Sequence, residues 1–275
     1  MTIKIIPTLC IYHGKCADGF TAAWVVNKQY PDIEFFAGTY GKPLPDCTGH
    51  DVLFVDFSCK RDEMLEILDK ANTVTILDHH KTALDELGSL LDENKIHGVL
   101  DMDRSGAMIT WDWFNPDVDS PQLIKHVQDR DLWRFDLCGT REIQSTVFSY
   151  DYTFDNWDTL MDTPIERLIS DGIVLERKHF KDMHELLEVT RRNMNIAGYN
   201  VEVANLPYTL ASDAGNELAK TNVFGATYYD KPSGRSFSLR SIGDFDVSEI
   251  AKKYGGGGHK NASGFIVPLN WEGDE

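Results

Sequence analysis

The sequence is poor in positive charge: 27 lysines and arginines face 44 aspartates and glutamates, a formal net charge of -17. That imbalance argues against a grip on long duplex DNA or on an anionic membrane surface, since both rely on Lys and Arg neutralising phosphate. A short anionic substrate remains compatible, because bound metal ions supply strong local positive charge. Cysteine is sparse as well. Cys10, Cys16, Cys47, Cys59 and Cys138 are odd in number, with no CxxC pair and no disulfide-framework spacing, which suits a reducing compartment. Long uncharged apolar runs are missing. The stretch Ile5 to Tyr12 behind Lys4 is too short to span a membrane and is followed by no cleavage pattern, so it reads as a first strand of a cytoplasmic protein. There is no internal repeat, and Glu272 to Glu275 reads as a solvated acidic tail.

What is present is an alternation of apolar runs with amphipathic segments: Thr8 to Tyr12 then Gly19 to Tyr30, Val52 to Phe57 then Asp62 to Ala71, Val74 to Leu77 then Thr82 onward. This is the rhythm of a parallel α/β sheet. Val52 to Val55 and Val74 to Leu77 are continuous bulky runs, as expected of strands covered on both faces. Polar residues follow at once. Asp56 ends the first run and Asp78-His79-His80 the second, so both sets are expected at the carboxyl edge of the sheet, where open α/β folds bind ligands. A charged helical stretch over 164–198 reads as a connector between a domain at 1–163 and a smaller α/β domain at 199–275. The latter holds a strand at Val201 to Val203, a helix near Ala214 to Lys220, a hairpin at Pro232-Ser233-Gly234, a helix over Val247 to Tyr254 and a strand over Phe265 to Val267.

Within Asp78-His79-His80, two adjacent imidazoles at a strand end cannot point the same way, so one can ligate a metal while the other faces a phosphate; Thr82 is a plausible cap for the following helix. A bare triplet is often a surface accident, but its place after a buried strand, matched by Asp56, favours chemistry. Gly255 to Gly258 with His259 lies between a helix and a strand. A flexible linker is the bland reading. Framed by core-forming elements, the run reads instead as a nest of backbone N–H groups for an anion.

These motifs, with His13 to Asp18 and Gly19, Val55-Asp56-Phe57-Ser58 and Val127-Gln128-Asp129, resemble the DHH phosphoesterase superfamily over nearly the whole chain. The resemblance is greatest to small members with a DHH-associated C-terminal domain, the RecJ-like oligoribonucleases or nanoRNases. It implies a hydrolase with two divalent cations, Mn²⁺ or alternatively Mg²⁺, with His13, Asp18, Asp56, His79 and Asp129 as ligands and Asp56 bridging. Carboxylate oxygen and neutral imidazole suit such ions. It also implies that His80 touches a phosphate oxygen, that Asp78 orients His79, and that Gly256, Gly257, Gly258 and His259, with Arg240, hold the end of the substrate in a cleft between the domains. The chain departs from the family pattern at Cys16, where relatives carry an aspartate, which leaves that position a spectator or a weak ligand. Asp129 and Asp131 flank Arg130; motif alignment selects Asp129, while Asp131 pairing with Arg130 or Arg134 is the bland alternative. His126 reads as supporting or exposed, His50 and His97 as loop residues, and Trp111, Trp113, Trp133 and Trp157 as core.

The activity so implied is degradation of very short oligonucleotides to mononucleotides. Cyclic dinucleotides and 3′,5′-bisphosphate nucleotides are the alternative substrates, and a nucleotide-binding sensor is the alternative outside enzymes. A homodimer is compatible with the sequence.

Overall fold

The strands Leu9–His13 (β1), Glu34–Gly38 (β2), Asp51–Val55 (β3), Thr73–Asp78 (β4) and His97–Leu100 (β5) form one parallel sheet in the order β2-β1-β3-β4-β5. The computed structural model describes residues 6–274 and divides into two compact units, Met1–Glu176 and Arg177–Glu275, of which this sheet belongs to the first. Ile5, the start of the expected first strand, lies outside the described residues.

Strand alternation sorts the apolar runs onto two faces. Leu9, Ile11, Val52, Phe54, Val74 and Ile76 join one core with Leu87 and Leu90. Cys10, Leu53, Val55 and Leu77 join the other, with Phe20, Ile109, Ile124, Ile143 and Trp157. The helices Arg61–Leu68 (α2) and Lys81–Asp92 (α3) contribute to the first core. The second takes Ala17–Gln29 (α1), Gly106–Phe114 (α4), Gln122–Asp131 (α5), Thr140–Val147 (α6) and Phe154–Asp162 (α7). Because β1 has β2 on one side and β3 on the other, the strand order reverses there, and the carboxyl ends of β1 and β3 form the switch-point crevice.

The edge strand β2 was not among the expected elements. His97, expected in a loop, opens β5, where it sits opposite Thr75. The connector expected to run to 198 is shorter: one helix covers Ile165–Thr190 (α8), and strand Arg191–Ile196 (β6) follows directly.

The second unit is built on a mixed sheet. After β6 come Tyr199–Asn205 (β7), helix Ala211–Ala219 (α9), Gly225–Lys231 (β8), Gly234–Arg240 (β9), helix Val247–Lys253 (α10), Gly257–His259 (β10) and Ala262–Val267 (β11). Their order is β10-β11-β9-β8-β7-β6, with only the β7–β8 pair parallel among the described strands. The expected hairpin is formed, with Lys231 opposite Gly234 across Pro232 and Ser233. The expected acidic tail keeps Glu272 exposed to solvent but is tied down by side-chain contacts. Glu272 pairs with Arg192 and Arg235, Asp274 accepts from the Ala197 amide and the Tyr254 hydroxyl, and Trp271 packs on the core of the unit; Glu275 lies outside the described residues.

No helix among the described residues is long and apolar enough to cross a membrane. All five cysteines are free.

Candidate metal centre

Five elements of the first unit deliver side chains to its switch-point crevice. His13 ends β1, Asp18 lies in the first turn of α1, Asp56 follows β3, Asp78 ends β4 ahead of His79 and His80, and Asp131 ends α5. Asp18, Asp56, Asp78, His79 and His80 are all buried. Asp56 takes a left-handed backbone conformation (φ 52), which turns its side chain back over the sheet edge. Two glycines make room for it. A Cβ at Gly106 would lie 2.4 Å from the Asp56 Cβ, and one at Gly19 would lie 2.4 Å from the His13 carbonyl oxygen and 3.0 Å from Asp56 Oδ2.

The ligand-type atoms lying wholly within the first unit fall into two groups among the described residues. Nε2 of His79 is 3.0 Å from Asp56 Oδ1, 3.4 Å from Asp131 Oδ2 and 3.7 Å from Asp18 Oδ2. On the other side, Asp56 Oδ2 is 3.4 Å from His13 Nδ1, and His80 Nδ1 is 4.0 Å from Asp56 Oδ1. Within each of the sets His13–Asp56–His80 and Asp18–His79–Asp131, one ligand atom per residue lies within 4.8 Å of the others. Asp56 touches both sets.

Asp18 also accepts the amide N–H groups of Gly106 (2.7 Å) and Ala107 (3.1 Å), so the amino end of α4 fixes the carboxylate. Asp78 serves His80 more than His79. Its Oδ1 lies 2.7 Å from His80 Nδ1 and takes only the backbone N–H of His79, at 2.8 Å, so the expected orientation of the His79 ring by Asp78 is replaced by orientation of the His80 ring. His80 is itself the N-cap residue of α3, without a side-chain cap bond, which puts Thr82 inside the first turn rather than at the cap.

The choice of Asp129 is corrected by the geometry. Its carboxylate accepts the amide N–H groups of Asp136 (2.9 Å) and Leu137 (3.1 Å) and the Thr140 hydroxyl (2.6 Å), so it ties the chain after α5 and stands outside both groups. His126 joins this tie through Nδ1, 2.8 Å from the Thr140 hydroxyl. Asp131, two residues on, points the other way, toward His79.

Electrostatics follow from crowding. Burial, then the Asp56 and Asp131 carboxylates, hold Asp18 well above the usual carboxylate range, and burial raises Asp131 too. Burial works against charge on Asp56 as well, but the His13 and His79 imidazoles outweigh it and bring that group well below the usual range. Burial alone would lower His79; the facing Asp131, Asp56 and Asp18 carboxylates raise it well above an ordinary histidine. Burial and the same three carboxylates push the Cys16 thiol well above its ordinary value. Such a set is satisfied by added positive charge, as protons or as divalent cations. The residues fit a metal: His13 Nδ1 and Asp56 Oδ2 are buried and lack a hydrogen-bond partner among the described residues, and the donors are carboxylate oxygen and imidazole nitrogen.

The remaining expected residues lie in the second unit. Arg240 on β9 donates to the Leu239 carbonyl and the Ser212 hydroxyl, both at 2.8 Å. The glycine run is not an open nest: Gly257, Gly258 and His259 form β10, paired with Gly264, Ser263 and Ala262. Gly256 is required by packing, since a Cβ there would fall 2.0 Å from the Gly264 carbonyl oxygen. Sequence reasoning missed Gly106, although Ser105 ahead of it carries a helix-start signal and does accept the Met108 amide.

Residues 202–273 match the DHHA1 domain family. An uncharacterized protein, R106, of Acanthamoeba polyphaga mimivirus is 30% identical over 286 residues, covering 92% of this chain and 66% of that protein. Oligoribonuclease NrnB of Bacillus subtilis (strain 168) is 25% identical over 276 residues, covering 88% of this chain and 65% of its own length. The chain thus spans slightly under two thirds of both relatives. Among solved structures, a DHH domain described as a member of the s1p family of ribosomal proteins superposes with a TM-score of 0.56 at 14% identity, covering 95% of this chain and 83% of that one, which shows a shared fold.

Proposed function

Since the chain belongs to the DHH phosphoesterase superfamily, we propose that it is a metal-dependent hydrolase that degrades very short oligonucleotides to mononucleotides. The observation that carries this reading is the meeting of two groups of ligand-type atoms on Asp56. His13 and Asp56 would hold one divalent cation, and Asp18, Asp56, His79 and Asp131 a second, with Mn²⁺ favoured over Mg²⁺. Such a pair supplies Lewis acidity and lowers the pKa of the attacking water. His80, its ring fixed by Asp78, holds a nonbridging phosphate oxygen of the substrate. Asp18 is anchored by two backbone N–H groups at the amino end of α4, which orient its carboxylate.

The substrate class draws support from the acidic composition, which disfavours long strands and duplexes, and from the name of the Bacillus subtilis relative. The test is product analysis with Mn²⁺ on end-labelled RNAs of two to five nucleotides, beside a cyclic dinucleotide and a 3′,5′-bisphosphate nucleotide. Stepwise conversion of the RNAs to mononucleotides, abolished by His79→Ala, is the expected result. Selective loss of one of the small nucleotides would replace the substrate class, and no turnover of any of them would reject the enzyme reading in favour of a nucleotide-binding protein.

A further inference from the structure

A nucleotide hydrolase has a base to hold as well as a phosphate, and beside His13 and His80 stands an aromatic ring that the hydrolytic chemistry leaves unused. Tyr40, in the segment after β2, keeps 47% of its surface exposed. Its ring centroid nevertheless lies 4.7 Å from that of Phe57, 5.4 Å from that of His13 and 6.0 Å from that of His80. The planes are inclined by 31° to Phe57 and by 70° and 71° to the two imidazoles, so the ring leans on Phe57 and meets the histidines edge to face.

The support beneath it is built in. Phe57 is buried, and it occupies the space left by the missing side chain of Gly38, where a Cβ would come within 2.9 Å of the ring. Gly38, Phe57 and Tyr40 are therefore stacked in that order at the sheet edge. An aromatic serving only the core would be covered, and a tyrosine serving only solubility would have no backing ring. Tyr40 has the backing and the exposure together.

We propose that Tyr40 is the stacking platform for the nucleobase of the nucleotide whose phosphate His80 holds, a specificity-determining residue that selects nucleotide phosphodiesters over other phosphodiesters. The inference rests on the phosphodiesterase reading above. Every base has a π-face, so stacking on one aromatic tolerates sequence, and the enzyme accepts all four bases while discriminating against an abasic sugar.

The experiment compares dinucleotide hydrolysis with that of the same dinucleotide made abasic at one position, using the full chain with Mn²⁺. Tyr40→Ala is expected to raise KM for the intact dinucleotide roughly tenfold while kcat holds within about twofold, shrinking the preference over the abasic substrate by the same factor. Tyr40→Phe keeps the preference, because the ring and not the hydroxyl is required. Gly38→Ala, which presses on Phe57, weakens it without touching Tyr40 itself. Equal losses on both substrates in Tyr40→Ala, or an unchanged KM, would overturn the proposal and leave the phosphodiesterase reading intact. If the wild type cleaves neither substrate, that reading fails, and stacking is judged alone from a 2-aminopurine dinucleotide. Quenching on binding that is lost in Tyr40→Ala sustains the platform, whereas binding without quenching, or no binding, rejects it.

Discussion

The two units treat buried charge in opposite ways. In the second, the buried Arg235 is matched on every side: Nε and Nη2 donate to Asp230 at 2.8 and 3.1 Å, Nη1 to Glu272 at 2.7 Å and to the Trp271 carbonyl at 2.9 Å, and the guanidinium lies 4.4 Å from the centre of the Tyr228 ring. In the first, three carboxylates converge on one imidazole, with Asp56, Asp131 and Asp18 at 3.0, 3.4 and 3.7 Å from His79 Nε2. A matched charge locks a fold; an unmatched cluster is maintained at a cost to stability and marks where a ligand completes the structure.

The sharpest way to break this contrast is within the first unit itself, between Asp131 and Asp129. Asp131→Ala is expected to lower turnover by at least about a thousandfold with the melting temperature little changed, since it removes one of the crowded carboxylates. Asp129→Ala strands two backbone N–H groups and the Thr140 hydroxyl, and should destabilise the protein by about 3 kcal/mol in denaturant titrations. A reversed pattern would restore Asp129 to the metal centre. In the second unit, Arg235→Ala should cost about 1–2 kcal/mol, limited because Asp230 and Glu272 are themselves solvent-exposed, while metal content stays that of the wild type.

The smallest effect is a linkage between pH and metal. Asp18 and Asp131 are held above the ordinary carboxylate value of 3.8, and His79 above the ordinary 6.5. Groups raised in this way contribute stability that is present in full below their unfolded values and is lost as pH rises through the folded ones. Asp56 is depressed, so its contribution is present above 3.8 and does not change from mildly acidic to alkaline pH. Cations must displace the protons on Asp18, Asp131 and His79, so Mn²⁺ should raise the melting temperature by several degrees more at about pH 8 than at about pH 5.5. An equal shift at both would mean that these groups hold no proton for the metal to displace.

Much of this arrangement was legible in the sequence wherever a strand was continuous and apolar. Val52 to Val55 and Val74 to Leu77 announce a covered parallel sheet, and the polar residues that end them can only lie at its carboxyl edge. Legibility fails where two structures share one pattern. Asp129 and Asp131 both stand at the end of α5, and the helical period separates them by more than half a turn, so the choice depends on where the following chain turns to be tied down. The glycine run suits a nest or a tight hairpin equally well by composition, and only the β11 partner decides for the strand. Arg191 to Ile196 is too polar to separate from the helix before it until β7 pairs with it. The tethering of the acidic tail is not legible, because the partners of Glu272, Arg192 and Arg235, lie far away in the chain.

Gly19 and Gly106 give the candidate metal centre a boundary made of missing atoms. Neither supplies a donor to a cation, yet a methyl group at Gly106 would collide with Asp56, and one at Gly19 with the His13 carbonyl. The heritable definition of this centre is thus larger than its list of ligands. A descendant of this sequence could keep every histidine and aspartate and still lose the chemistry through a single alanine, so a judgement of which relatives remain active has to examine these two positions along with the residues that bind.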